Sequence, residues 1–205
     1  MPALKIPHKA QSIVSSYIES RVPGPEEFIV LSEPLLNATL KLAGLLRDCK
    51  SKWAMAGDAG ELLSGVAVRT DHLSILTTTE GCEEISKKLV EHMVENPGIV
   101  ERKLDREARV DLSSYSVQIK SQEAKFQIDG QRLDVYGGLQ IRVGEWEWGD
   151  PLDYEPDYVY VGSEKMPVLP IRLKKELYIG LGWMDRVKKI NEAMTRRHHG
   201  PGFGG

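Results

Sequence analysis

Cysteine is scarce in this sequence, and the two present, Cys49 and Cys82, have no metal-ligand spacing and make no disulfide framework. They read as free thiols, with a single Cys49–Cys82 bridge as the alternative. Long apolar runs are also missing: nothing approaches the ~20 consecutive apolar residues that a membrane-spanning helix needs. The first residues lack the charged-then-apolar pattern of a secretory signal, so a cytoplasmic location and no membrane partner are expected. Neither sign of charge dominates. A formal net charge of −3 argues against a surface built to coat nucleic acid, while leaving room for a local basic patch. What remains is the composition of an ordinary globular protein, long enough at 205 residues to bury a sizeable core.

The most informative stretch runs from Lys52 to Leu76. Trp53 to Ala56 is a short apolar run closed by Gly57-Asp58, which predicts a buried strand and a tight turn. A short helix should follow, ending near Gly65, and a second strand from His72 to Thr77. Asp58 stands where the helix begins, with Glu61 three residues on, so the pair predicts a capping box. The alternative use of Asp58 is as a ligand. Upstream, Ser32-Glu33-Pro34 starts a helix whose apolar side is Leu35, Leu36, Leu40, Leu42, Ala43 and Leu46.

Strand, Gly-containing turn, helix, Arg69-Thr70 and a second strand resemble the start of the nucleotidyltransferase fold, as found in small stand-alone prokaryotic and archaeal members. In that family the turn reads Gly-Gly or Gly-Ser, and the second strand reads Asp-apolar-Asp-apolar. Two Asp at i and i+2 share a strand face. With a third carboxylate from a neighbouring strand they hold Mg²⁺ against nucleotide phosphates. The resemblance implies an α+β fold, a mixed sheet flanked by helices with a C-terminal helical segment. It places Gly57, Asp58, Arg69, His72, Ser74 and Lys174 around a nucleotide, and gives Asp134, in Leu133-Asp134-Val135, the role of the catalytic metal carboxylate.

The sequence departs from the pattern where the chemistry sits. His72 and Ser74 stand in the places of the two Asp, and Asp71 is one residue out of phase, facing the other side of the strand. One Asp with an imidazole and a hydroxyl makes a poor Mg²⁺ site, so the fold is expected to be kept and the usual transfer lost. His72 reads as a half-buried structural residue before a metal ligand or general base, and no acid beside it supports Ser74 as a nucleophile. Asp134 is either a metal carboxylate or a relic paired with Arg69 or His72.

Three β-rich runs, Gly98 to Leu104, Ser116 to Lys120 and Ala124 to Ile128, are expected after a helix from Cys82 to Val94 ended by Asn96-Pro97-Gly98. Asp129-Gly130 predicts a tight turn into Arg132 to Val135. The mixed charges between 101 and 109 read as a solvated hairpin or loop. Residues 145–157 hold six acids and three aromatics without Lys or Arg. They read as an ordered loop with Trp146 and Trp148 over the sheet edge, or else as a docking loop for a protein partner or a divalent-cation site. Met166 to Pro170 leads into helices with a break at Gly180 and Gly182, where Arg172, Lys174 and Lys175 could approach phosphates. The expected division is a helical extension over 1–32, built on an amphipathic stretch from Ala10 to Ser20, the domain over 33–194, and a flexible Gly-rich tail over 195–205.

Three functions follow. The first is a catalytically degenerate nucleotidyltransferase-like protein that binds a nucleotide, an RNA or a protein. The second is an active enzyme using Asp134 with Asp58, Asp71 or His72. The third is a structural or regulatory subunit with the 145–157 docking loop.

Overall fold

Residues 31–199 are described by a computed structural model. The helix expected near Ala10 and the end of the Gly-rich tail lie outside them. Five helices and nine strands follow in the order α1 (Glu33–Leu45), β1 (Trp53–Met55), α2 (Gly57–Leu63), β2 (His72–Thr77), α3 (Thr79–Lys88), β3 (Met93–Lys103), β4 (Ala108–Val110), β5 (Ser113–Tyr115), β6 (Val117–Ile128), β7 (Gln131–Val143), β8 (Asp157–Val161), β9 (Glu164–Val168), α4 (Ile171–Gly180) and α5 (Met184–His199). The last helix therefore runs past Met194, where the tail was expected to begin.

Seven strands make one mixed sheet in the order β3-β6-β7-β2-β1-β9-β8, and β4 and β5 form a separate hairpin. β1 runs antiparallel to β2, and β2 parallel to β7. The α+β architecture expected from the sequence is the one observed. Among the described residues no helix is long and apolar enough to cross a membrane, and Cys49 and Cys82 are free thiols.

The two sheet faces are covered differently. On one, α1 and α3, with the capping residues Leu46 and Leu89 that follow them, lay Leu35, Leu42, Leu46, Ile85 and Leu89 on Met55, Leu73, Ile75, Phe126, Leu133 and Val135. The buried positions of α1, Leu35, Ala38, Thr39, Leu42 and Ala43, recur at the spacing of a helix stripe. On the other face Ala54 and Leu76 meet Tyr154, Leu169 and Leu173, and the far ends of β6 and β7 meet Leu177, Leu181 and Trp183.

Two expectations are corrected. The third helix begins at Thr79, with the Thr78 hydroxyl accepting from the Gly81 N–H at 3.0 Å, and it ends at Lys88. Met93 onward pairs with β6 instead, so Asn96-Pro97-Gly98 sits inside an edge strand at register shifts. Pro is tolerated there because an edge strand has a side without a ladder. β6 and β7 are also single long strands joined by Asp129-Gly130, both at positive φ (47° and 80°), the conformation of a type I′ hairpin turn.

Candidate functional site

The parallel register of β2 and β7 pairs His72 with Arg132, Ser74 with Asp134 and Leu76 with Tyr136. Alternate residues share a face, so His72, Ser74 and Asp134 lie side by side as the sequence implied. Gly57, at φ 55°, sits directly above: a Cβ there would lie 3.2 Å from the Ser74 hydroxyl oxygen. Glycine fits both requirements, the left-handed backbone and the close approach. Asp71 projects into solvent and its carboxylate lies 2.8 Å from His72 Nδ1. That imidazole holds the Asp71 carboxyl below its ordinary range.

Asp134 is 3% exposed. Its Oδ1 accepts from Arg132 Nε at 2.8 Å, and its Oδ2 accepts from Arg132 Nη2 at 2.6 Å and from the Tyr136 hydroxyl at 3.3 Å. This corrects both expected partners. Arg69 is exposed on the preceding loop, and the guanidinium that holds Asp134 comes from two residues away on its own strand. The strand period alone would have pointed to Arg132. Burial, reinforced by the Asp134 charge, pushes the Tyr136 phenol up to about 12. Beyond it, Arg102 lies over the Tyr136 ring and pairs with the buried Glu123, which also accepts from Ser121.

The second half of the site lies beneath the Gly57 turn. Lys174, expected near phosphates, is 2% exposed and donates from Nζ to the Gly57 carbonyl at 3.0 Å. Burial lowers its pKa from the ordinary 10.5 to about 8, against the opposing pull of Glu61 and Asp58. The expected capping box is absent: α2 starts after Ala56 with no side-chain cap. Asp58 instead accepts from Arg186 at 2.7 Å, and Glu61, fully buried, accepts from Tyr178 and from Arg186 at 3.3 Å. Two acids and two bases thus tie α2 to α4 and α5. No local signal announces Tyr178 or Arg186, which come from more than a hundred residues downstream.

These donors do not fit the magnesium ion that the fold implies. Mg²⁺ demands near-octahedral oxygen ligation, yet both Asp134 oxygens are committed to a guanidinium and a phenol. Asp58 is turned to Arg186, and Asp71, exposed to solvent, is turned to His72, where the sequence led to no acid being expected. Among the described residues no group of three His, Cys, Asp or Glu side chains is placed to hold a metal.

The acidic loop between β7 and β8 is clipped to the sheet. Leu152 N–H donates to the Leu139 carbonyl, the buried Tyr154 hydroxyl donates to the Leu76 carbonyl at 2.6 Å, and Lys52 holds Asp153 and Glu155. Trp148 lies under the Arg142 guanidinium, and Trp146 tilts against Tyr115. Tyr154 is buried and Trp148 half-buried, whereas Trp146 stays half exposed and the acids face solvent.

No family model and no curated protein matches this chain. Among solved structures, a Thermotoga maritima protein described as "a putative nucleotidyltransferase" superposes with a TM-score of 0.60. The match spans 82% of this chain and 97% of the other at 23% sequence identity, a level that speaks for the fold alone. With its central mixed sheet, its flanking helices and its turn-strand-strand arrangement at Gly57, Ser74 and Asp134, the chain has a nucleotidyltransferase-like fold.

Proposed function

We propose that this protein uses the nucleotidyltransferase-like fold as a binding scaffold and does not carry out metal-dependent nucleotidyl transfer. The observation that carries the reading is the capture of Asp134: it is buried, and Arg132 and Tyr136 occupy both of its oxygens. A guanidinium stands where a cation would be held, so the negative charge that would grip magnesium is already neutralised.

The test is incubation with Mg²⁺ and labelled nucleotides. Wild type should transfer no label, and isothermal titration should show no Mg²⁺ binding at millimolar concentration. A triple variant, His72→Asp, Ser74→Asp and Arg132→Ala, restores the two acids and frees the third; it should gain Mg²⁺ affinity. Transfer by wild type that disappears in Asp134→Ala overturns the proposal and favours an active enzyme drawing on Asp58, Asp71 or His72.

Nucleotide binding without transfer is a second reading, favoured by the exposed Gly57 turn and by the Arg132 side chain, which is 60% exposed above Asp134. Saturable retention of labelled nucleotide that Arg132→Ala abolishes is the result expected of it.

A further inference from the structure

We propose that Arg132 and Arg102 form a phosphate site that works without a divalent cation, their guanidiniums serving in place of the metal ion that the fold implies. Such a site rests on the nucleotide-binding reading above and specifies it further, naming the group that is held and its metal-free state.

Arg102 on β3, Glu123 on β6 and Arg132, Asp134 and Tyr136 on β7 make one connected array on the face that carries Ser74. Asp134 and Glu123 are its buried members, their side chains 5% and 7% exposed. Arg132 caps the first and Arg102 the second, and these side chains are 60% and 38% exposed. Tyr136 stands between the two pairs. It lies opposite Glu123 in the β6–β7 register, and its hydroxyl donates to Asp134 at 3.3 Å. The Arg102 guanidinium carbon lies 5.4 Å from the Tyr136 ring centroid.

Two acids and two bases leave the array without net charge, yet it is polarised. Both carboxylates lie inside and both guanidiniums lie toward solvent, so an approaching ligand meets the positive ends first. The carboxylates act from a greater distance, and at an exposed face distance weakens them further by screening. The two exposed acids beside this face, Asp71 and Glu95, are each turned to a neighbour, His72 and Lys125.

Being paired does not exhaust these arginines. Arg132 binds Asp134 through Nε and Nη2, which leaves the N–H groups of the Nη1 edge for a second acceptor. Arg102 reaches Glu123 through Nη1 alone. The planar fork of a guanidinium matches two oxygens of a phosphate. Because a buried carboxylate anchors each arginine, little side-chain freedom remains to be lost when an anion arrives. Two fixed cations thus supply the positive charge that a metal ion contributes elsewhere. A phosphate already complexed with Mg²⁺ has its own charge partly cancelled before contact, so added Mg²⁺ should weaken binding here.

Isothermal titration of the full chain with pyrophosphate, AMP, ATP and adenosine, in EDTA at low salt, tests this. The three phosphate compounds should bind and adenosine should not, and saturating Mg²⁺ should weaken ATP binding severalfold. Two paired variants, Arg132→Gln with Asp134→Asn and Arg102→Gln with Glu123→Gln, remove each cation together with its anchoring acid. No buried charge is stranded and the net charge of the chain is unchanged, yet each pair should weaken phosphate binding about tenfold or more. Lys125→Gln with Glu95→Gln, an exposed pair, should alter it by less than about twofold. No binding in EDTA, tighter ATP binding with Mg²⁺, or equal losses in all three pairs overturns the proposal. The wild-type titrations decide the matter alone if a paired variant does not fold. Adenosine binding without pyrophosphate binding overturns the proposal and leaves the nucleotide reading standing. Pyrophosphate binding without nucleotide binding supports the phosphate site and overturns the nucleotide reading.

Discussion

Lys174 holds its amine in a place that disfavours charge, and the balance should be readable from the pH dependence of stability. Its folded pKa of about 8 lies below the ordinary 10.5 because burial strips the ammonium of water. Between those values the unfolded chain binds a proton that the folded chain has released, so unfolding free energy rises with pH across that window. Below pH 8 both states are protonated and the burial penalty is fully present. In urea titrations from pH 7.5 to 10.5, wild type should gain stability relative to Lys174→Met by on the order of 3 kcal/mol. The Cys49 and Cys82 thiols, pushed up to about 11 mainly by burial, act in the opposite direction. They are common to both proteins and cancel in the comparison. Equal pH slopes for the two proteins would show that the amine is not buried as described.

Glycine positions separate elements that are seated tightly from those that are not. A Cβ at Gly60 of α2 would lie 2.4 Å from the Met55 carbonyl oxygen of β1, whereas at Gly44 of α1 it would meet nothing within 4 Å. Gly60→Ala must push α2 off the sheet and should cost at least about 2 kcal/mol. Gly44→Ala should stabilise by about 0.5 kcal/mol through helix propensity. Thermal melts of the two variants check both signs. The same contrast between local and distant determinants explains what the sequence disclosed. Trp53–Met55, His72–Thr77 and the Asp129-Gly130 turn were legible because short apolar runs and a turn dipeptide specify them locally. The α3–β3 boundary was not, because pairing with β6 draws Met93 to Gly98 into the sheet against the local Asn-Pro-Gly signal. Asp58 read as a helix cap because its actual partner, Arg186, enters from the far end of the chain. Asp134 lies beside Ser74 in the parallel register of β2 and β7. Its neutralisation by Arg132 follows from the strand period, which sets residues 132 and 134 on one face.

At the scale of the whole molecule, the fold is nucleotidyltransferase-like, and the carboxylates of Asp58, Glu61 and Asp134 are held by partners within the chain. The sheet that carries Asp134 is stitched from distant parts of the chain. β6 and β7 meet through a two-residue turn, but β2 reaches β7 only across about sixty intervening residues. Loop-closure entropy makes such long-range parallel pairing slow. The β6–β7 hairpin should therefore be organised in the folding transition state before β2 docks against it. In stopped-flow experiments Phe126→Leu in the hairpin should slow refolding, while Ile75→Val in β2 should chiefly speed unfolding. The reverse pattern would place docking of β2 first. If the hairpin does form first, Arg132 and Asp134 are already paired on β7 when Ser74 arrives. Their bond would then be settled early in the kinetic history of the chain, before the surface that a ligand would meet has closed.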